Sequence, residues 1–253
     1  SRVRAPLPAP FLIKIANIFN GAYILQVTRF LLGFSSFFYY KLLMKKKLPQ
    51  TIPIFPLSGV IFFPKTNLPL NIFENRYLAL VNDCFKSNKY MGMIQGKRDS
   101  SEVYSVGCLG KITEHKKTED GRLLVNLTGI TRFEIKSEVN NDKIYREFNV
   151  SYEKFLGDLE IEKKQKLVKE EIQDIFQKTK VFFKKNGLLL NWSEFEKLDQ
   201  DQKINTLAMI APISNEEKQK ILESIHINSK TKVLSDIIEF YLHENFTNNI
   251  TLQ

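Results

Sequence analysis

The sequence predicts an α+β protein in which a strand-rich part precedes a helical part. Between residues 51 and 155, short apolar runs and alternating apolar and polar residues are bounded by Pro and Gly, which is typical of strands. Near Gly157 the apolar period changes from two residues to about 3.6, which indicates helices. The 253 residues, 43% of them hydrophobic, are enough for one large domain or two small ones with a buried core.

The strand-rich part contains one early helix. Leu78, Val81 and Phe85 recur at helical spacing and predict a helix over Glu74–Ser87, which a Leu-Pro-Leu turn at 68–70 would introduce. The predicted strands are Ile52–Leu57, Tyr90–Gln95, Val106–His115, Leu123–Phe133 and Tyr145–Phe155.

Glycines lie within the central strands and in the turn between them. Asp120-Gly121 predicts a hairpin turn over Lys116–Gly121, because this dipeptide favours the tight turns that join antiparallel strands. Gly107 and Gly110 predict a bulge or a close approach of backbone within the preceding strand.

The helical part is predicted to begin with a long helix, Leu159–Lys185, which ends at Asn186-Gly187. Ser193 with Glu196, Asp199 with Gln202 and Ser214 with Glu217 have the spacing of capping boxes, and Ser229 is a candidate cap for the last helix. The buried stripe of the long helix is predicted to contain Ile161, Leu167, Val168, Ile172, Ile175, Phe176, Val181 and Phe182 or Phe183.

Residues 1–43 differ from the rest of the chain. They contain five basic residues and no acidic one, although the whole chain carries only nine excess positive charges. We expect the biological start to be Met44, with 1–43 an extension outside the fold; a signal-anchor or amphipathic membrane segment, and a structural extension, are the alternatives. The predicted organisation is an extension (1–43), a β-rich subdomain (44–156), a helical subdomain (157–246) and a frayed tail (247–253).

The opening of the β-rich part resembles the Lon N-terminal domain, also called the Lon substrate-binding domain. The family pattern FPL…FP…LPL.IFE.RY is matched by Phe55-Pro56-Leu57, Phe63-Pro64, Leu68-Pro69-Leu70, Ile72-Phe73-Glu74 and Arg76-Tyr77. Two further blocks, within 106–133 and 205–223, extend the resemblance to residues 51–242. The resemblance implies a PUA-like pseudo-barrel followed by a helical bundle, and a stand-alone member of the family without the ATPase and protease domains.

The sequence contains no recognisable catalytic or metal-binding motif. Its nearest approach to a phosphate-binding loop, Gly92–Lys97, is one residue short and is followed by Arg98 instead of Ser or Thr. The three histidines have no ligand-spaced partner, and Cys84 and Cys108 are expected to be reduced and buried. We therefore predict a protein that is not an enzyme and that needs no cofactor or metal.

Phe62, Phe63, Pro64 and Leu68 are the candidate contact residues for a peptide. In one interpretation part of this apolar surface is exposed and takes up unfolded or hydrophobic polypeptide segments, as the resemblance implies; in the other, these residues fill the core. A protease or chaperone would be a further partner, in the cytoplasm. The alternative function is RNA binding by a PUA-like protein; the scattered lysines argue against nucleic acid, and a membrane is expected as partner only if residues 1–43 belong to the protein.

Overall fold

The computed structural model describes residues 48–98, 100–160 and 169–250, with the backbone alone at 169–171 and 244–250. The strands and helices described belong to the compact unit that begins at Pro49. The predicted extension 1–43 and the predicted start at Met44 lie outside the described residues.

Five strands close into a barrel, and a sixth strand extends one wall of it. The sheet order is β2-β5-β4-β3-β1-β6, and β5 also pairs with β6, which closes the ring. β1 and β3 are parallel, and the other pairs are antiparallel. The strands are β1 (Thr51–Pro56), β2 (Asn67–Ile72), β3 (Tyr90–Ile94), β4 (Val106–Lys117), β5 (Leu123–Val139) and β6 (Glu147–Ser151).

The central strands are irregular where the sequence has glycine. The β4–β5 register shifts at Leu109/Gly110, which confirms the predicted bulge. At Gly107, a Cβ would lie 2.5 Å from the Met93 carbonyl oxygen, so the predicted close approach is also present.

Leu68-Pro69-Leu70, which was predicted to be a turn, lies within strand β2. Asn67–Ile72 pairs with Thr128–Leu123 of β5 on one side only, so β2 is an edge strand. Proline is tolerated there because its missing N–H need not join a ladder on the open side. The buried Leu68 and Ile72 and the exposed Pro69 and Asn71 have the strand alternation that Pro69 obscured in the sequence.

The junction between the two parts is a 3-10 segment, Glu153–Leu159, where the sequence predicted the end of a strand and the start of a helix. The long helix is described over Lys169–Lys185, and the predicted stripe positions Ile161, Leu167 and Val168 lie outside the described residues. Val181 is half exposed, so its assignment to the buried stripe was wrong. The helices are α1 (Asn75–Lys86), α2 (Lys169–Lys185), α3 (Trp192–Glu196), α4 (Gln200–Ile210), α5 (Asn215–Glu223) and α6 (Ile227–Ile250).

Two of the predicted capping boxes are confirmed. The Gln202 N–H donates to Asp199 Oδ1 at 2.8 Å, and the Asp199 N–H donates to Gln202 Oε1 at 3.0 Å. Ser214 and Glu217 form the same reciprocal pair at 3.2 and 2.8 Å. Both boxes satisfy orphan N–H groups at a helix start.

Two other predicted caps were wrong. Asn191, not Ser193, caps α3, because its side chain accepts from the Glu194 N–H. Ser229 lies inside α6, which begins at Ile227. That helix runs to Ile250, beyond the predicted end of the helical part at 246, and residues 251–253 lie outside the described residues.

The barrel and the helices share a core. One buried cluster lies between the barrel and α1; a second joins β-part residues Ile61, Phe63, Val106 and Phe155 to the helical side chains. The change from strands to helices near Gly157 is therefore a change of local structure inside one compact unit. Cys84 and Cys108 are buried free thiols, as predicted.

A buried arginine joins the two parts. Arg132 on β5 donates to both carboxylate oxygens of Asp158 at 2.9 Å, and only 2% of the Arg132 side chain is exposed. Its remaining N–H groups donate to the carbonyls of Leu222, Ser224 and Ile225, at and just beyond the end of α5. The guanidinium thus supplies donors to carbonyls that a helix end leaves without partners.

The ionisation of Asp158 makes part of the stability depend on pH. Burial raises the pKa of the Asp158 carboxyl, but the charge and hydrogen bonds of Arg132 outweigh burial and hold that pKa below its usual range. A depressed folded-state pKa stabilises the fold above the unfolded-state pKa of about 4, and this stabilisation is lost as the pH falls through the folded-state pKa.

We therefore expect the stability gap between wild type and Asp158→Asn to be large at pH 6 and to narrow as the pH falls below about 4. Urea unfolding of both proteins at matched pH values measures this gap. A gap of constant size would contradict the assignment, because protonated aspartate and asparagine are both neutral.

Candidate functional site

The four predicted contact residues are buried. Phe62 and Leu68 lie in the core between the barrel and α1, whereas Phe63 lies in the core shared with the helices, and Pro64 is also buried. Adjacent phenylalanines thus point into different cores. Burial at all four positions supports the core interpretation of this segment over the interpretation in which part of it is exposed.

The helical part holds the segment after Phe63 in place. The Asn205 side chain donates to the Pro64 carbonyl at 2.8 Å and accepts from buried Lys230 at 2.7 Å. Lys65 forms ion pairs with Asp199 and Asp201 at 2.9 and 3.4 Å. The segment is therefore fixed against α4 and the residue that caps it.

An open groove lies where β2 passes into α1. It has a volume of about 490 Å³ and is lined by Phe73, Asn75, Leu78, Asp120, Gly121 and Arg122. Phe73 immediately follows β2, and the Asp120–Arg122 turn joins β4 to β5, so pairing of these strands brings the two sides of the groove together. Phe73 is 63% exposed, more than any other phenylalanine whose side chain the structure describes.

One charged pair lies in the groove lining, and a second lies close by in the sequence, at Glu74 and Arg76. Arg122 and Asp120 are 2.8 Å apart, and Arg76 contacts Glu74 at 2.8 Å while its guanidinium lies 4.6 Å from the centre of the Tyr77 ring. The Thr118 hydroxyl donates to Asp120 and, with the Arg122 N–H, lowers the pKa of the Asp120 carboxyl. The groove therefore combines the apolar side chains of Phe73 and Leu78 with one ion pair, Asp120–Arg122, in its lining.

Sequence reasoning did not single out Phe73, although a signal was present. Glu74 occupies the cap position of α1, so Phe73 and Leu78 have the spacing of a hydrophobic staple, in which the residue before the cap packs against the fourth helical residue. Both side chains line the groove. A staple explains why residue 73 is apolar. It leaves most of the Phe73 ring exposed and available to a ligand.

The described residues contain no cluster of His, Cys, Asp and Glu that could hold a metal ion. None of their helices is both long and apolar enough to cross a membrane. A second surface groove, of about 350 Å³, lies beside Ile144 in the β5–β6 connection and is bordered by the Arg146–Glu138 pair.

Comparison with protein families shows which family the chain belongs to. The family model of the ATP-dependent protease La (LON) substrate-binding domain matches residues 51–239. The chain belongs to this family. Lon proteases of Desulfosudis oleivorans and Cytophaga hutchinsonii are 28% and 24% identical to it over 74% and 78% of the chain. The chain spans 23% of the length of each of these relatives.

Solved Lon N-terminal domains share the fold of this Lon substrate-binding domain. The Lon N-terminal domain protein from Xanthomonas campestris has a TM-score of 0.56 at 22% identity and covers 74% of this chain and 97% of its own. The N-terminal domain of Mycobacterium avium complex Lon protease has a TM-score of 0.53 at 14% identity, over 75% and 98%. These likenesses confirm the α+β class, and the family model confirms the resemblance noted in the sequence.

Proposed function

We propose that this Lon substrate-binding domain recognises unfolded or hydrophobic polypeptide segments through the groove headed by Phe73. The observation that supports the proposal is that Phe73, 63% exposed, lines an open groove. The chain also belongs to a family of substrate-binding domains. Large exposed apolar side chains beside a concave surface are typical of recognition sites.

Recognition in this groove rests on side-chain burial. An apolar segment packed against Phe73 and Leu78 removes apolar surface from water, and an aromatic anchor loses little conformational freedom on binding. Addition of a strand to the open edge of β2 is disfavoured, because Pro69 has no N–H to donate in the middle of that edge. The ligand is therefore held by its apolar side chains, with weak dependence on its backbone.

The proposal includes no catalytic step. The protein binds its polypeptide and acts in quality control, as an adaptor for a protease or a chaperone, in the cytoplasm, where buried thiols such as Cys84 and Cys108 remain reduced. ATP hydrolysis or casein cleavage that scales with protein concentration after re-purification would contradict it.

The test compares two exposed phenylalanines. Phe73→Ser should weaken binding to labelled, reduced and carboxymethylated α-lactalbumin by about fivefold or more, because the groove loses its aromatic anchor. The free energy of unfolding should fall by no more than about 1 kcal/mol, because only the staple contact with Leu78 is lost. Fluorescence anisotropy and urea unfolding measure the two quantities.

Phe240→Ser is the matched control. Phe240 is 55% exposed and lies on α6, outside the groove, so its replacement should leave affinity and stability unchanged. Equal losses of affinity in the two variants would contradict the proposal, since they would indicate binding through general hydrophobicity. Replacement of the polypeptide by single-stranded RNA in the same assay tests the RNA alternative, for which the affinity would fall steeply with salt.

A further inference from the structure

The loop between α2 and α3 presents two adjacent leucines to solvent. Leu188 is exposed, and Leu189 is 101% exposed, the largest value among the exposed hydrophobic side chains of the described residues. A single exposed leucine is ordinary on a protein surface. Two in succession at the tip of a loop, one of them fully exposed, form a small projecting apolar surface.

The loop is held at both ends. The Leu188 N–H donates to the Phe183 carbonyl at 2.9 Å and the Gly187 N–H donates to the Lys184 carbonyl at 3.2 Å, and Gly187 has a φ of +69°. These two bonds form a Schellman motif, which ends α2 in a fixed turn. Leu190 then packs against the core shared by barrel and helices, and Asn191 caps α3. The leucines therefore project from a braced turn.

The surroundings of the tip are basic. Residues 175–193 contain four lysines and no acidic residue; Lys178 pairs with Asp174 and Glu239 at 2.8 and 3.2 Å, and Lys184 and Lys185 are exposed beside the tip. The next acidic side chains, Glu194 and Glu196, pair with Lys197 and Lys180 at 2.6 and 3.9 Å. Trp192 is half buried, with Lys180 Nζ 5.0 Å from the centre of its ring.

The small area of the tip favours a bilayer surface over a protein as its partner. A stable protein interface covers about 800 Å² on each partner, far more than two leucine side chains offer. A bilayer surface can enclose a projecting apolar side chain while exposed lysines face anionic headgroups, which is the arrangement of interfacial membrane anchors. We propose that the Leu188–Leu189 tip inserts reversibly into the surface of anionic phospholipid bilayers, with Lys184 and Lys185 at the headgroups.

A fluorescent label at the tip tests the insertion directly in the full chain. The two native thiols are buried, and burial raises the pKa of Cys84 to about 12 and that of Cys108 well above its usual range, so a thiol reagent will label an introduced exposed cysteine selectively. NBD attached to the Leu189→Cys variant should gain about threefold in emission and shift to the blue with phosphatidylglycerol-containing vesicles, because the dye leaves water.

Two comparisons make the outcome specific. NBD attached to the Phe240→Cys variant, at an exposed position on α6, should show no change, and vesicles of phosphatidylcholine alone should give less than about a third of the response at position 189. Raising NaCl from about 0.05 M to about 0.5 M should reduce that response, since salt screens the lysines. A position-189 label that stays in water with anionic vesicles overturns the proposal, whether or not the protein sediments with them, and leaves a protein partner as the occupant of the tip.

Discussion

We expect Arg132→Met to lower the free energy of unfolding by about 3–5 kcal/mol, a loss well above that of most single substitutions. The substitution leaves the Asp158 carboxylate, 9% exposed, without its cation, and leaves three carbonyls at and beyond the end of α5 without donors. An unpaired buried charge costs far more than the pair contributes. Urea unfolding followed by circular dichroism measures the loss.

Arg146→Met is the matched control for this result. Arg146 also forms a bidentate pair, with Glu138, and also lies over an aromatic ring, but both partners are substantially exposed. Its loss should cost no more than about 1 kcal/mol. The double variant Arg132→Met, Asp158→Leu should recover part of the stability, since no buried charge remains; equal stability losses for Arg132→Met and Arg146→Met would contradict the assignment.

Gly129→Ala should lower the free energy of unfolding by about 3 kcal/mol through overpacking. A Cβ at position 129 would lie 2.2 Å from the Phe63 carbonyl oxygen and 3.1 Å from Pro64 Cα, and these backbone atoms cannot turn aside as a side chain can. The same segment is fixed by the Lys65 N–H, which donates to the Gly129 carbonyl at 2.8 Å, and by Asn205. Thermal and urea unfolding give the loss.

Gly157→Ala provides the comparison at a second glycine. No atom lies within 4 Å of a Cβ built there, so the stability should change by less than about 0.5 kcal/mol. A Gly129→Ala protein as stable as the Gly157→Ala protein would show that the Phe63–Pro64 backbone can move away from β5.

Local chemistry made the helix ends at Asp199 and Ser214 predictable, because a capping box is completed within four residues. β2 was missed because Pro69 suggests a turn in isolation and is tolerated only through its place at the sheet edge. Arg132 could not be predicted, since its partners lie 26 to 93 residues along the chain. Phe62, Phe63 and Phe73 are similar apolar residues in one segment, so the sequence does not distinguish them. Only the tertiary packing shows that Phe62 and Phe63 are buried and Phe73 is exposed.

The connections of Arg132 also set an order of events during synthesis. The guanidinium is made with β5, but its last acceptors, the carbonyls of Ser224 and Ile225, are added only after about ninety further residues have been joined to the chain. Until then the guanidinium has its side-chain partner Asp158, but the part of the guanidinium that α5 later covers must stay hydrated. A ribosome-bound chain that ends before α5 therefore leaves the surface of β5 around Arg132 exposed. We expect such a chain to remain a target for chaperones.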